Sequence, residues 1–161
     1  MRYIMKQRMF SFGDSFTIKD EFENDIFYVR GQVFSIGKKL SFESMDGEEL
    51  LFIKQKLMSF VPVYEIYRGE ELMGVVKKQM MTLFKPKFDI QSQEGDIQIE
   101  GDVWTREYDF WKNGINIAKV SKEFFAWSDT YGIDVIDGEY DAFILACVVI
   151  IDMICYDNDN R

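Results

Sequence analysis

Ala142-Phe143-Ile144-Leu145-Ala146-Cys147-Val148-Val149-Ile150-Ile151 is the longest uninterrupted apolar run in the chain, and its conformation decides how everything before it must fold. The run is bounded by Asp141 and Asp152. A membrane-spanning helix needs roughly 20 apolar residues, so this run is too short to cross a bilayer. The β-branched stretch Val148-Val149-Ile150-Ile151 suits a strand. Three features favour a helix instead. The segment from Asp137 to Asp157 is longer than strands usually are. Asp137 is a candidate N-cap, with Glu139 and Asp141 in the first turn, where the helix dipole favours negative charge. The segment then runs into the polar stop Asp157-Asn158-Asp159-Asn160-Arg161. The balance is a helix over residues 139–156. A helix apolar on every side must be buried on every side, so the preceding chain has to wrap around it.

The chain of 161 residues fits one domain and is long enough to bury a core. Its hydrophobic share of 47% and its fifteen Phe, eight Tyr and three Trp fit a folded, β-rich protein. The start, Met1-Arg2-Tyr3-Ile4-Met5-Lys6-Gln7, lacks the apolar core of a signal peptide, so the expected compartment is the cytoplasm. Cys147 and Cys155 lie about 12 Å apart along a helix, too far for a disulfide, and read as small buried hydrophobes. The chain contains no histidine, which removes Ser-His-Asp and Cys-His nucleophilic machinery and the commonest metal ligand. No phosphate-loop, dinucleotide-binding, CxxC or complete calcium-loop spacing occurs, so no catalytic residue, metal site or cofactor is expected. A net charge of −9 repels nucleic acid, and no nucleic-acid partner is expected.

Upstream of the run, short alternating segments are separated by turn residues. Asp46-Gly47 and Asn113-Gly114 are the strongest hairpin signals. A repeat is visible inside this region. Gly69 to Ile90 can be laid without gaps on Gly114 to Val135, so that Leu72 meets Ile117, Val75 meets Val120 and Lys77 meets Lys122. Gly47-Glu48-Glu49-Leu50 likewise matches Gly69-Glu70-Glu71-Leu72. Each unit holds two strands, one about every eleven residues, which gives about twelve strands over residues 1–137. An antiparallel meander of that length leaves exposed edges unless it closes. A barrel of about twelve strands is too wide for its own side chains to fill, and the apolar helix is the element that can fill it.

Five stretches stand out together: Val33-Phe34-Ser35-Ile36-Gly37-Lys38-Lys39-Leu40, Asp46-Gly47 with Lys54-Gln55-Lys56, Pro62-Val63-Tyr64-Glu65-Ile66, Ala126-Trp127-Ser128-Asp129-Thr130-Tyr131, and the segment from Asp141 to Asp152. On these residues the chain resembles the LURP-one-related family, within the Tubby C-terminal-like superfamily that also includes phospholipid scramblases. The resemblance implies a mainly β fold, a closed antiparallel barrel of about twelve strands enclosing the C-terminal helix, as a single domain over 1–161. The small size without an extra domain looks like a bacterial member. By resemblance to Tubby-like domains, it also implies a non-catalytic binding module for anionic lipid or phosphoinositide headgroups. The alternative is a protein–protein interaction domain, with the barrel as a scaffold that displays loops.

Lysines form the one constellation that suits such a ligand: Lys54, Lys56, Lys77, Lys85 and Lys87. Lys54 and Lys56 share a strand face, and Lys77 and Lys122 are repeat equivalents of Lys54. The simpler reading is that lysines on exposed strands keep a β protein soluble and block edge pairing. A patch of Phe124, Phe125 and Trp127 would instead favour the interaction domain. In Trp127-Ser128-Asp129 the serine has no activating base, and a turn in which Ser128 or Asp129 caps the backbone is expected. Asp152 is expected at the mouth of the barrel, in water, because a buried carboxylate needs a partner that the local sequence does not show.

Overall fold

Alternation of side chains is enough to set the sheet's two faces. In Glu49-Leu50-Leu51-Phe52-Ile53-Lys54-Gln55, Leu51 and Ile53 are fully buried while Lys54 is exposed. The computed structural model of the protein describes residues 1–7, 15–32, 36–80, 84–122, 129–137 and 139–156. These contain β1 (Arg2–Lys6), β2 (Ser15–Asp20), β3 (Asp25–Gly31), β4 (Lys39–Ser44), β5 (Glu49–Gln55) and β6 (Val63–Arg68). They continue through β7 (Glu71–Lys78), β8 (Phe88–Ser92), β9 (Gly95–Asp102), β10 (Glu107–Lys112), β11 (Ile115–Ser121) and β12 (Thr130–Val135) to α1 (Asp141–Tyr156). Each strand pairs antiparallel with its neighbours in sequence, and β1 pairs with β12, so the twelve strands form a closed up-and-down barrel. Arg2 fastens that seam with two hydrogen bonds to the Asp134 carboxylate, at 2.6 and 2.8 Å.

The helix fills the barrel. Every residue from Ala142 to Met153 is buried, which is the environment an all-round apolar helix requires. It begins at Asp141, not near 139, and the residue that precedes it is Tyr140, whose carbonyl accepts from the N–H groups of Phe143 and Ile144. Asp137 is therefore not the cap expected from the sequence. Asp141 occupies the first turn and accepts a hydrogen bond from the Tyr3 hydroxyl, which ties the helix start to β1. Phe143 lies against Gly74 of β7, where an added Cβ would come within 2.7 Å of the ring and 2.6 Å of the Gln91 carbonyl.

The repeat is real as structure, but one residue out of the gapless register. Four hairpins each carry a bulge just beyond the turn, and the skipped residues are Ile26, Leu50, Met73 and Ile117. All four are apolar and pack on the core, closing it around the start of the helix. Leu50 is thus the counterpart of Met73 and Ile117, not of Leu72. Lys54 and Lys77 remain equivalent, while Lys122 corresponds to Lys78. A gapless alignment cannot see the difference, because the shift lies in how the turn is closed.

Connections alternate between two ends. The hairpin end carries the tight turns after β2, β4, β6, β8 and β10 and the start of α1; the loop end carries the remaining connections and the end of α1.

Replacing Val149 with Asp places an unpaired carboxylate in the barrel centre, at a cost of several kcal/mol against a total stability of about 5–15. Val149→Asp is expected to lack a cooperative melt by circular dichroism. Gly74→Val is expected to fold with a urea midpoint lowered by the equivalent of about 1–3 kcal/mol.

Candidate functional site

Strand register brings four of the five candidate lysines onto one stretch of outer wall. Lys54 on β5 lies opposite Lys39 on one side and Glu65 on the other. Lys56, just past β5, donates its backbone N–H to Val63, and Val63 in turn lies opposite Lys77 of β7. Lys56 and Lys77 therefore flank Val63 at a separation of two strand spacings, about 10 Å. Lys77 faces Asp89 of β8, and Lys87 stands one pleat beyond Asp89 on the same face, where its carbonyl accepts from Gln79. All four lysines are exposed, and none makes an ion pair within the described residues. The two carboxylates among them are engaged elsewhere. Glu65 accepts from the Tyr67 hydroxyl, and Asp89 accepts from the Gln79 side-chain amide at 2.8 Å. Lys85 stands apart, at 2.8 Å from Asp102 in an ion pair that lowers the carboxyl below the usual range. Lys122 is on β11's side of the barrel, away from this wall.

The wall runs up to the loop end, where large apolar side chains project into solvent. Ile36, Met58, Phe60 and Phe84 all lie on the connections between β3 and β8. Met58, Phe60 and Phe84 are not among the residues expected to form a site, and Ile36 stands only in the stretch that carries the family resemblance. A signal was present, because Leu57-Met58-Ser59-Phe60 is apolar outside any alternating pattern. The expected patch of Phe124, Phe125 and Trp127 lies outside the described residues, as does Ser128.

Asp152 is where the sequence expectation fails. It is fully buried, not at a mouth in water, because α1 continues for another turn to Tyr156 and the β9–β10 turn folds Arg106 inward. Arg106 takes a left-handed backbone at φ 57 and places its Nε 3.4 Å from the Asp152 carboxylate. Its guanidinium lies over the rings of Tyr156 at 4.0 Å and Tyr131 at 5.1 Å. The Tyr131 hydroxyl donates to the same carboxylate oxygen, Oδ2. The other oxygen, Oδ1, and the Tyr108 hydroxyl have no hydrogen-bond partner among the described residues. Burial pushes the Asp152 carboxyl above its ordinary range, with Arg106 and Tyr131 pulling against it. The cluster anchors the end of the helix to β12 and to the β9–β10 turn, and it exposes no Asp152 surface to a substrate.

Other reactive groups are muted. Burial raises the Cys147 thiol and pushes that of Cys155 up to about 12, so neither is a thiolate near neutral pH. Among the described residues, no group of three or more Cys, Asp or Glu side chains is placed to hold a metal, and no helix is long and apolar enough to cross a membrane.

A closed twelve-strand barrel around a single hydrophobic helix is the class that the fold defines. The LURP-one-related family profile matches residues 1–152, and the chain belongs to that family. The uncharacterized protein YxjI of Bacillus subtilis (strain 168) is 37% identical over 158 residues, covering 98% of this chain and 95% of its own. A crystal structure of an Arabidopsis thaliana protein shares the fold, with a TM-score of 0.68 at 19% identity, over 99% of this chain and 92% of that one.

The Asp152 cluster sets a pH-dependent expectation. A carboxyl held above its unfolded-state value gives stability that is complete below that value and lost as pH rises through the folded one. Asp152→Asn keeps an acceptor for Tyr131 and Arg106 without the charge, so wild type should lose ground against it as pH rises through this window. Asp152→Leu strands the Arg106 charge and should lose about 3–5 kcal/mol, part of which Arg106→Met restores in the double variant. Urea melts of the four proteins across the acidic range check both expectations.

Proposed function

We propose that the protein is a non-catalytic binding module for the anionic headgroup of an amphiphile, using Lys54, Lys56, Lys77 and Lys87 on the β5–β8 wall. One observation carries the reading. Four exposed cations that make no ion pair among the described residues stand on neighbouring strands, in a chain whose net charge is −9. Lysine meets phosphate as a point charge, and several within about 10 Å of one another engage a multiply charged headgroup without a shaped pocket. Lys85, held by Asp102, contributes less than the sequence suggests. The resemblance to Tubby-like domains supports the same ligand class, as a warrant from fold and not from chemistry. The absence of histidine, the raised thiols and the buried Asp152 support a non-catalytic role. The apolar loop tips favour the alternative, a protein-interaction domain, if no lipid is bound.

Co-sedimentation with phosphoinositide-containing vesicles tests the reading. Binding is expected at low salt and should weaken as salt rises, because exposed charges are screened. The Lys54→Glu, Lys77→Glu double variant should lose most of the bound fraction while melting like wild type. Binding that this variant leaves unchanged, or no binding at low salt, removes the reading and leaves the interaction domain.

A further inference from the structure

The most exposed apolar side chains at the loop end bury little of their area in the fold, so their chemistry calls for another cause. Met58 is 104% exposed, Phe60 99%, Phe84 84% and Ile36 80%, relative to the same residues in an open chain. Single exposed hydrophobics are ordinary, but four large ones on consecutive connections of one rim are a patch. Among the described residues beneath them, backbone hydrogen bonds carry the strand pairing on into the connections. Lys78 donates to the Pro62 carbonyl at 3.0 Å, Gln79 to that of Lys87 at 2.8 Å, and Gln55 to that of Lys38 at 2.8 Å. Met58 itself holds a left-handed backbone at φ 59, a conformation uncommon outside glycine.

Charge is arranged around these tips by depth. Lys56, Lys77 and Lys87 sit at strand ends just behind them, whereas the turns of the opposite end carry Glu21, Glu23, Asp46, Glu48, Glu70 and Glu94, with Phe22 as the one apolar side chain there of comparable exposure among the described residues. Apolar tips ahead, cations behind and carboxylates at the far end match the layers of an anionic bilayer taken from the acyl chains outward. A second copy of the same rim is a poor occupant, since it would face lysines with lysines.

We propose that the loop end is an interfacial anchor, in which Met58, Phe60 and Phe84 enter the boundary between headgroups and acyl chains of an anionic membrane. The barrel axis then stands steeply on the surface, with the acidic hairpin turns pointing away. This inference rests on the headgroup-binding reading and adds the mode of contact. It makes adsorption depend on two separable forces, of which only the electrostatic one is screened by salt.

The test uses vesicles of phosphatidylcholine with and without phosphatidylserine, at low and high salt. Wild type, the Lys54→Glu, Lys77→Glu variant and a Phe60→Ser, Phe84→Ser variant are compared after confirming equal melting. A Phe60→Trp variant is titrated with vesicles whose acyl chains are brominated near the headgroup. The expected result is binding that requires phosphatidylserine and falls about tenfold with the serine pair. Bromine should quench the added emission of Trp at 60 over that of wild type. Binding that the serine pair leaves unchanged, with no added quenching, overturns the insertion while the headgroup reading stands. No binding to either vesicle at low salt overturns both.

Discussion

The constraint on which the rest of the structure depends is the helix that has no polar side. Its 16 residues rise about 24 Å and, with side chains, occupy a cylinder roughly 10–12 Å across. A surrounding sheet must leave room for its own inward side chains, which puts its backbone about 10–12 Å from the axis. Strands spaced about 4.8 Å apart and tilted about 40° reach that radius with roughly twelve, whereas eight give about 8 Å. Strand number and helix composition are therefore two expressions of one requirement. Gly74 shows how tight the fit is, since the Phe143 ring takes the space a Cβ would need.

That coupling is why so much of the fold is legible in the sequence. Alternation in segments such as Glu49–Gln55, turn pairs such as Asn113-Gly114 and one unbroken apolar run specify strands, closure and filling without any long-range information. What stays hidden is what depends on distant partners. Asp152 has no visible reason to be buried until Arg106, 46 residues earlier, is brought over it, and nothing local marks that pairing. The bulges at Leu50, Met73 and Ile117 are hidden for another reason. Each is an ordinary apolar residue, and only the closure of the hairpin shows that it is the extra one.

The candidate site divides along the same line. Lys54 and Lys77 are equivalent because the strands that carry them repeat with the same bulge, and the sequence repeat shows that recurrence while missing Lys122's shift to the counterpart of Lys78. The pairing of Lys85 with Asp102 joins the β7–β8 connection to the end of β9, and no periodic pattern encodes it. Apolar tips such as Phe60 are visible in the sequence but cannot be told from core residues there. Only their exposure in the fold separates the two roles.

An up-and-down barrel has two ends, and nothing in closure requires them to differ. Here they differ in length of connection, in charge and in polarity together. Two-residue turns such as Gly69-Glu70 and Asn113-Gly114 at one end need positive φ and small or polar residues, which favours acidic and polar side chains there, although Phe22 and Met45 on its four-residue turns are exposed. The described connections at the other end also take positive φ, at Gly37, Met58 and Arg106, so backbone demand alone does not set the composition of either end. A buried Phe60 would be explained by packing and an exposed Asp46 by its turn. An exposed Phe60 is explained by neither, and the proposed contact with a membrane is what would give it a physical cause.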